Sequence, residues 1–151
     1  MRSFYVALVD VVYWPVVQLS VSAILVRVPT RRFSSDSWIT RARKWERSLV
    51  LYRTLGVPLW KKRLPDAGFL VGGARKQVNP YSHSDVLRFL SELRRAEVAH
   101  WLQLTFAIFC WFWNPIWSAI AMTLYAISTN TPCIAVQRYN RILVLSRSAR
   151  K

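Results

Sequence analysis

The sequence predicts an all-α integral membrane protein with about three membrane helices, arranged as one N-terminal span and one C-terminal helical hairpin, plus an amphipathic cytoplasmic interfacial helix. Three observations carry this. Of 151 residues 53% are apolar and only 19% charged, with 8 Trp, 6 Tyr and 7 Phe, more apolar surface than one soluble core of this length absorbs. Against 7 Asp+Glu stand 22 Lys+Arg, a net charge of +15. These cations are segregated from long uncharged runs, as the positive-inside rule requires. The apolar content excludes disorder, 4 Gly exclude collagen-like order, and two cysteines inside hydrophobic runs, Cys110 and Cys133, exclude a disulfide scaffold.

The whole chain, 1–151, reads as a single membrane domain. Residues 4–26 form the first span: 18 of these 23 positions are apolar, and at the helical rise they reach about 34 Å. One arginine before the run, and Arg27, Arg31 and Arg32 after it, mark an uncleaved anchor with its basic flank in the cytoplasm and its N-terminus outside. Asp10 and Gln18 are costly in a bilayer, but Asp10 lies near the outer end, where interfacial water can solvate it. Residues 29–97 form a basic cytoplasmic loop with 15 Lys+Arg and 6 Asp+Glu. Within it Trp38, Ala42, Trp45, Leu49 and Tyr52 recur at helical spacing, predicting an amphipathic helix over 38–55 that lies on an anionic membrane. Gly56-Val57-Pro58 ends it, Pro65 to Gly68 is a turn, and 72–82 a loop.

The second hydrophobic block is split by Asn114-Pro115 into 98–113 and 116–136. The tail 138–151 holds 5 basic residues and no acid, so both flanks of the block prefer the cytoplasm, and a hairpin with its tip at Asn114-Pro115 satisfies both. Trp111, Trp113 and Trp117 surround the tip, while Trp101 and Tyr139 mark the opposite interface. The shorter leg reaches about 24 Å, which leaves a re-entrant hairpin open.

Catalytic templates of soluble enzymes are absent: there is no Gly-x-Ser-x-Gly elbow, no phosphate-binding glycine loop and no Cys-x-x-Cys pair. The richest constellation is Glu97 and His100, three apart on the helical track of Val86, Leu90 and Leu93. A carboxylate beside an imidazole can hold its tautomer while the ring takes a proton from a hydroxyl. The competing reading pairs Glu97 with Arg94. No metal is assigned, since a Glu-x-x-His element needs a second copy that this chain lacks. Arg138 and Arg141 could grip phosphate with planar donors, or serve as ordinary stop residues. Gln137 and Asn140 are carboxamides that interfacial anchoring does not call for.

Val136-Gln137-Arg138-Tyr139-Asn140-Arg141, Arg95-Ala96-Glu97 with His100-Trp101, Trp60-Lys61 with Asp66 and Gly68, Tyr13-Trp14 with Gln18-Leu19, and Arg27-Val28-Pro29 occur in order over about residues 13–141. Together they resemble the glycosyl-4,4'-diaponeurosporenoate acyltransferase family, small bacterial membrane enzymes of staphyloxanthin-type carotenoid biosynthesis. Pro15 and the short link at Asn114-Pro115 depart from the family pattern. The resemblance implies an acyltransferase that esterifies a fatty acyl chain onto the sugar 6-hydroxyl of a glycosylated carotenoid. The implied partners are an acyl thioester donor (acyl-CoA or acyl carrier protein), the glycosylated carotenoid acceptor and membrane lipids. It implies no cofactor, no nucleic acid, and location in the bacterial cell membrane with loop and tail cytoplasmic. On this reading His100 is the general base and Glu97 its orienting partner, attack is direct with no cysteine intermediate, Lys61, Arg138 and Arg141 face donor phosphates, and Asp66, Gln137 and Asn140 face sugar hydroxyls. The alternative is a non-enzymatic membrane adaptor that binds anionic lipid through its basic face.

Overall fold

A computed structural model describes residues 2–46, 48–64 and 83–148, all of them helical or irregular, with no strand among the described residues. Asp66, and the turn and loop expected over 65–82, lie outside the described residues.

Helix α1, Arg2–Arg27, is apolar on every side. Asp10, Trp14, Val17 and Val21, spaced 4, 3 and 4 apart, form its buried face, while Phe4, Leu8, Val11, Val12 and Ile24 point outward. Arg27 closes the helix by donating to the Ala23 carbonyl, 3.0 Å. Helix α4, His83–Thr105, runs back along it, and α5, Ile116–Ser148, packs antiparallel to α4 over most of its length. Three apolar clusters stack along the bundle: Trp14, Ala107, Cys110 and Ala126 near the tip, Val17, Val21 and Ala99 in the middle, and Tyr52, Val57, Tyr139 and Ile142 at the far end.

Among the described residues two helices are long and apolar enough to cross a membrane, Phe4–Arg27 and Ile116–Ser148. The expected leg 98–113 has a different character. Its first residues complete α4, and Phe106–Phe112 then tightens into a 3-10 helix. Side chains three apart eclipse in that geometry, so Phe106, Phe109 and Phe112 stack at 5.5 and 6.2 Å, while Ala107 and Cys110 face the core. Tyr13 donates to the Phe106 carbonyl at the junction, 2.8 Å. The turn does fall at Asn114-Pro115, as expected. The tail is not a separate segment, because α5 continues unbroken to Ser148.

Asp10 is not at the mercy of interfacial water. It is buried and accepts from Trp113 Nε1 at 3.0 Å and Asn114 Nδ2 at 2.8 Å, which ties α1 to the tip. Periodicity cannot reveal this, because the partners lie more than a hundred residues away.

The amphipathic helix expected over 38–55 is also corrected. A Ser37–Thr40 hydroxyl turn, a 3-10 turn Lys44–Glu46 and a short α2, Leu49–Thr54, occupy that stretch. The physical reason lies in the carbonyls of Ile39 and Thr40, which accept from Arg138 and Arg141. A continuous helix would consume both in its own ladder. Gly56, at φ +66°, takes the left-handed turn between α2 and α3, Val57–Trp60, where a side chain would be strained.

Candidate active site

The far end of the α4–α5 hairpin gathers a ladder of polar groups. Asn130, Ile134, Gln137 and Arg141 recur at 4, 3 and 4 along the buried face of α5, and Glu97 and His100 meet them from α4. Asn130 is 16 residues from Asn114, about 24 Å from the tip at the helical rise, and Arg138 a further two turns on.

At the first rung His100 Nδ1 lies 3.0 Å from Asn130 Oδ1. The Asn130 amide is oriented by its own donation to the Ala126 carbonyl at 2.9 Å, which turns Oδ1 toward the ring. An amide oxygen only accepts, so Nδ1 carries the proton and the lone pair falls on Nε2. Two further polar atoms, Trp101 Nε1 on α4 and Gln137 Oε1 on α5, are buried and lack a hydrogen-bond partner among the described residues. Each such group costs about 1–3 kcal/mol.

Beyond them is a charge cluster. Glu97, fully buried, accepts from Arg138 Nε at 2.6 Å through one oxygen and from Arg141 Nη1 at 2.8 Å through the other. Glu46 accepts from Arg138 Nη1 at 2.5 Å and, with its second oxygen, from the Arg43 amide at 2.7 Å. Two carboxylates thus meet two guanidiniums, and one further donor of each arginine goes to a backbone carbonyl, Arg138 to Ile39 and Arg141 to Thr40. Arg94 is taken up by Asp36 at 2.6 Å rather than by Glu97. Arg138 also lies 6.0 Å over the Trp101 ring.

The outermost rung joins Lys61 and Asn140: Lys61 Nζ donates to Asn140 Oδ1 at 3.0 Å and sits 4.8 Å over the Tyr139 ring. Burial, then the charges of Lys62 and Arg147, push the Lys61 ammonium below its ordinary pKa. Tyr52, packed 6.1 Å from Tyr139, is pushed up to about 12 by burial and then by Glu46, so its phenol stays neutral.

Of the residues singled out from the sequence, the structure brings Glu97, Arg138 and Arg141 into one cluster, His100 and Gln137 into the rungs beside it, and Lys61 and Asn140 into a pair. Sequence reasoning missed Asn130 and Glu46. Asn130 did carry a signal, since an amide in the middle of an otherwise uncharged span is expensive and functional by default. Glu46 was hidden by the helical period assigned to its surroundings.

A small helical bundle with a half-buried imidazole held by an amide and an arginine-carboxylate cluster on the same two helices has the makings of a membrane-associated group-transfer enzyme. Comparison with known proteins makes the class specific. The family model for glycosyl-4,4'-diaponeurosporenoate acyltransferase matches residues 35–147. A protein of that name from Staphylococcus haemolyticus (strain JCSC1435) is 30% identical over 138 residues, 89% of this chain and 80% of its own. One from Staphylococcus aureus (strain bovine RF122 / ET3-1) is 25% identical over 132 residues, 85% of this chain and 79% of its own. No solved structure matches significantly. The chain belongs to the glycosyl-4,4'-diaponeurosporenoate acyltransferase family and is an acyltransferase.

Proposed function

We propose that the chain is a multi-pass membrane enzyme that moves a fatty acyl group from a thioester, acyl-CoA or acyl carrier protein, to the 6-hydroxyl of the sugar on a glycosylated carotenoid. Its N-terminus and hairpin tip face outward, and the polar ladder sits at the cytoplasmic interface, where a membrane-bound glycoside and a water-borne thioester can meet. The relatives' names support the acceptor class. The observation that carries the site is His100 Nδ1 held by Asn130 Oδ1 across the α4–α5 hairpin.

In this reading His100 Nε2 takes the proton from the sugar hydroxyl as its oxygen bonds to the thioester carbonyl carbon. When the carbon–sulfur bond breaks, the imidazolium returns that proton to the departing thiolate, leaving ester and free thiol. Asn130 performs the orienting role that helical spacing assigned to Glu97. Glu97 instead fixes Arg138 and Arg141, and these arginines set the site's shape and field. Gln137 and Trp101 are matched to sugar hydroxyls. Lys61, with Lys62 and Arg147 near it, is matched to donor phosphate, and Asn140 holds its ammonium in place.

The test is reconstitution of the full chain in lipid with a glycosylated carotenoid and acyl-CoA, reading ester by mass. His100→Ala should lose ester at unchanged protein level, while undiminished ester would return the chain to a lipid-binding adaptor role.

A further inference from the structure

The apolar stripe that helical spacing lays along 38–55 is divided by the fold. Ala42 and Leu49 pack with Tyr52 in the cluster that holds Tyr139 and Ile142 of α5, whereas Trp38 is 76% and Trp45 67% exposed. Between the two tryptophans the chain has an inner and an outer side. Inward, Thr40 is buried, Ile39 and Thr40 give their carbonyls to Arg138 and Arg141, and Glu46 closes the stretch on Arg138. Outward stand the side chains of Ile39, Arg41, Arg43 and Lys44 with both indoles, and no acid lies among them. The acids on either side, Asp36 and Glu46, are already paired with Arg94 and Arg138. Arg43 lies 5.6 Å over the Trp38 ring, so a cation and an indole are presented at one level. That level follows from α5: Arg138 and Arg141 are 22 and 25 residues beyond Ile116, about 33 and 38 Å along the helix, just past a hydrocarbon core of about 30 Å.

We propose that the outer side of 38–45 is a docking surface for the anionic phospholipid headgroups of the leaflet next to the polar ladder; this rests on the membrane placement proposed above. Guanidinium groups donate to phosphodiester oxygens, and three cations with no acid between them are drawn to a negative surface. Indoles settle at headgroup level, where the ring leaves water while its N–H keeps polar neighbours. Turns fastened from within by buried ion pairs hold both indoles outward without a continuous helix. An acidic carrier protein would meet the cations as well, but it leaves two projecting indoles in water unless it offers a pocket for each, whereas a headgroup layer takes them anywhere along its surface. The consequence reaches the site, because the Arg138 and Arg141 that fasten these turns are themselves fixed by Glu97 on α4. Docking therefore sets the height of the ladder relative to the headgroups.

Docking can be read without turnover from a nitroxide on the outer side. The full chain carrying Ile39→Cys, Cys110→Ala and Cys133→Ala is spin-labelled and placed in nanodiscs of phosphatidylglycerol or of phosphatidylcholine, and the label's collision rates with oxygen and with a water-soluble nickel chelate report its depth. In phosphatidylglycerol the label should lie in the headgroup layer; in phosphatidylcholine, or in phosphatidylglycerol at high salt, it should move toward water. Each cation changes the bound-to-free ratio at an anionic surface about fivefold, so Arg41→Gln, Arg43→Gln and Lys44→Gln together should lower it on the order of a hundredfold. Trp38→Ser with Trp45→Ser should raise nickel access in phosphatidylglycerol although the charge is intact. All five side chains are exposed, so folding is not at stake. Nickel access that is the same in the two lipids, or protection that arises only when an acyl carrier protein is added, would overturn the assignment. A docked label in a chain that forms no ester would refute the proposed reaction and leave this surface standing, and ester formation with the label in water would refute the surface alone.

Discussion

At the scale of single residues the proposed site rests on one imidazole and the amide that meets it. If His100 removes the sugar proton, His100→Ala should lower kcat by on the order of 10²–10⁴. Asn130→Ala, which frees the ring to take the other tautomer, should lower it by roughly ten- to a hundredfold with a smaller change in KM. Steady-state kinetics on both variants checks this, and equal activity of Asn130→Ala and wild type would remove Asn130 from the mechanism. Glu97 is a different kind of residue. It is fully buried between Arg138 and Arg141, so removing it strands two guanidiniums. Glu97→Ala should cost about 3–5 kcal/mol of stability. The double change with Arg141→Ala should cost less than the sum of the two single changes, because it removes both members of a buried pair. Thermal unfolding in detergent measures the cycle, and strict additivity would show the pair to be uncoupled.

Among elements, the loop from Asp36 to Glu46 is held by side chains from the hairpin rather than by a helix of its own. Ile39 and Thr40 lend carbonyls to the arginines, and Glu46 reaches Arg138. The expectation is that Glu46→Ala loosens this loop, so limited trypsin digestion at the exposed Arg41, Arg43 and Lys44 should quicken severalfold while cleavage elsewhere is unchanged. The hairpin itself makes a topological prediction. With Cys110 and Cys133 replaced by serine, a single cysteine at Ser148 or at position 75 should react with an impermeant reagent only from the cytoplasmic side. Labelling of either from outside would reverse the orientation.

For the whole molecule, the separation of charge matters most: an apolar bundle carries most of its cations at one end, where the proposed reaction would receive a phosphorylated donor. In the proposed role Lys61 would bind donor phosphate only when protonated. Its pKa is lowered by burial and by Lys62 and Arg147, so its charge is lost at a lower pH than an ordinary lysine's as pH rises. The donor KM should therefore climb on the alkaline side before other lysines titrate, Lys61→Met should raise that KM and abolish this rise, and added salt should mimic part of the effect. A flat alkaline profile for donor KM in the wild-type chain would remove Lys61 from donor binding.

Much of this was open to a reader of the sequence. The long helices and the tip at Asn114-Pro115 follow from local rules: apolar run length, helix breakers and charge segregation act over a few turns of one chain segment. What required the tertiary structure was partnership. Spacing placed Glu97 and His100 on one face but could not say that Glu97 meets Arg138 and Arg141 while His100 meets Asn130, since those contacts cross between helices 30 to 44 residues apart. Asp10 was read as solvated and is tied to the tip, and residues 38–55 had a helical period and fold otherwise, because buried charges and guanidinium donors from elsewhere claim their carboxylates and carbonyls. Helices are local in sequence and hydrogen-bond partners across a bundle are not, and the site belongs to the second kind.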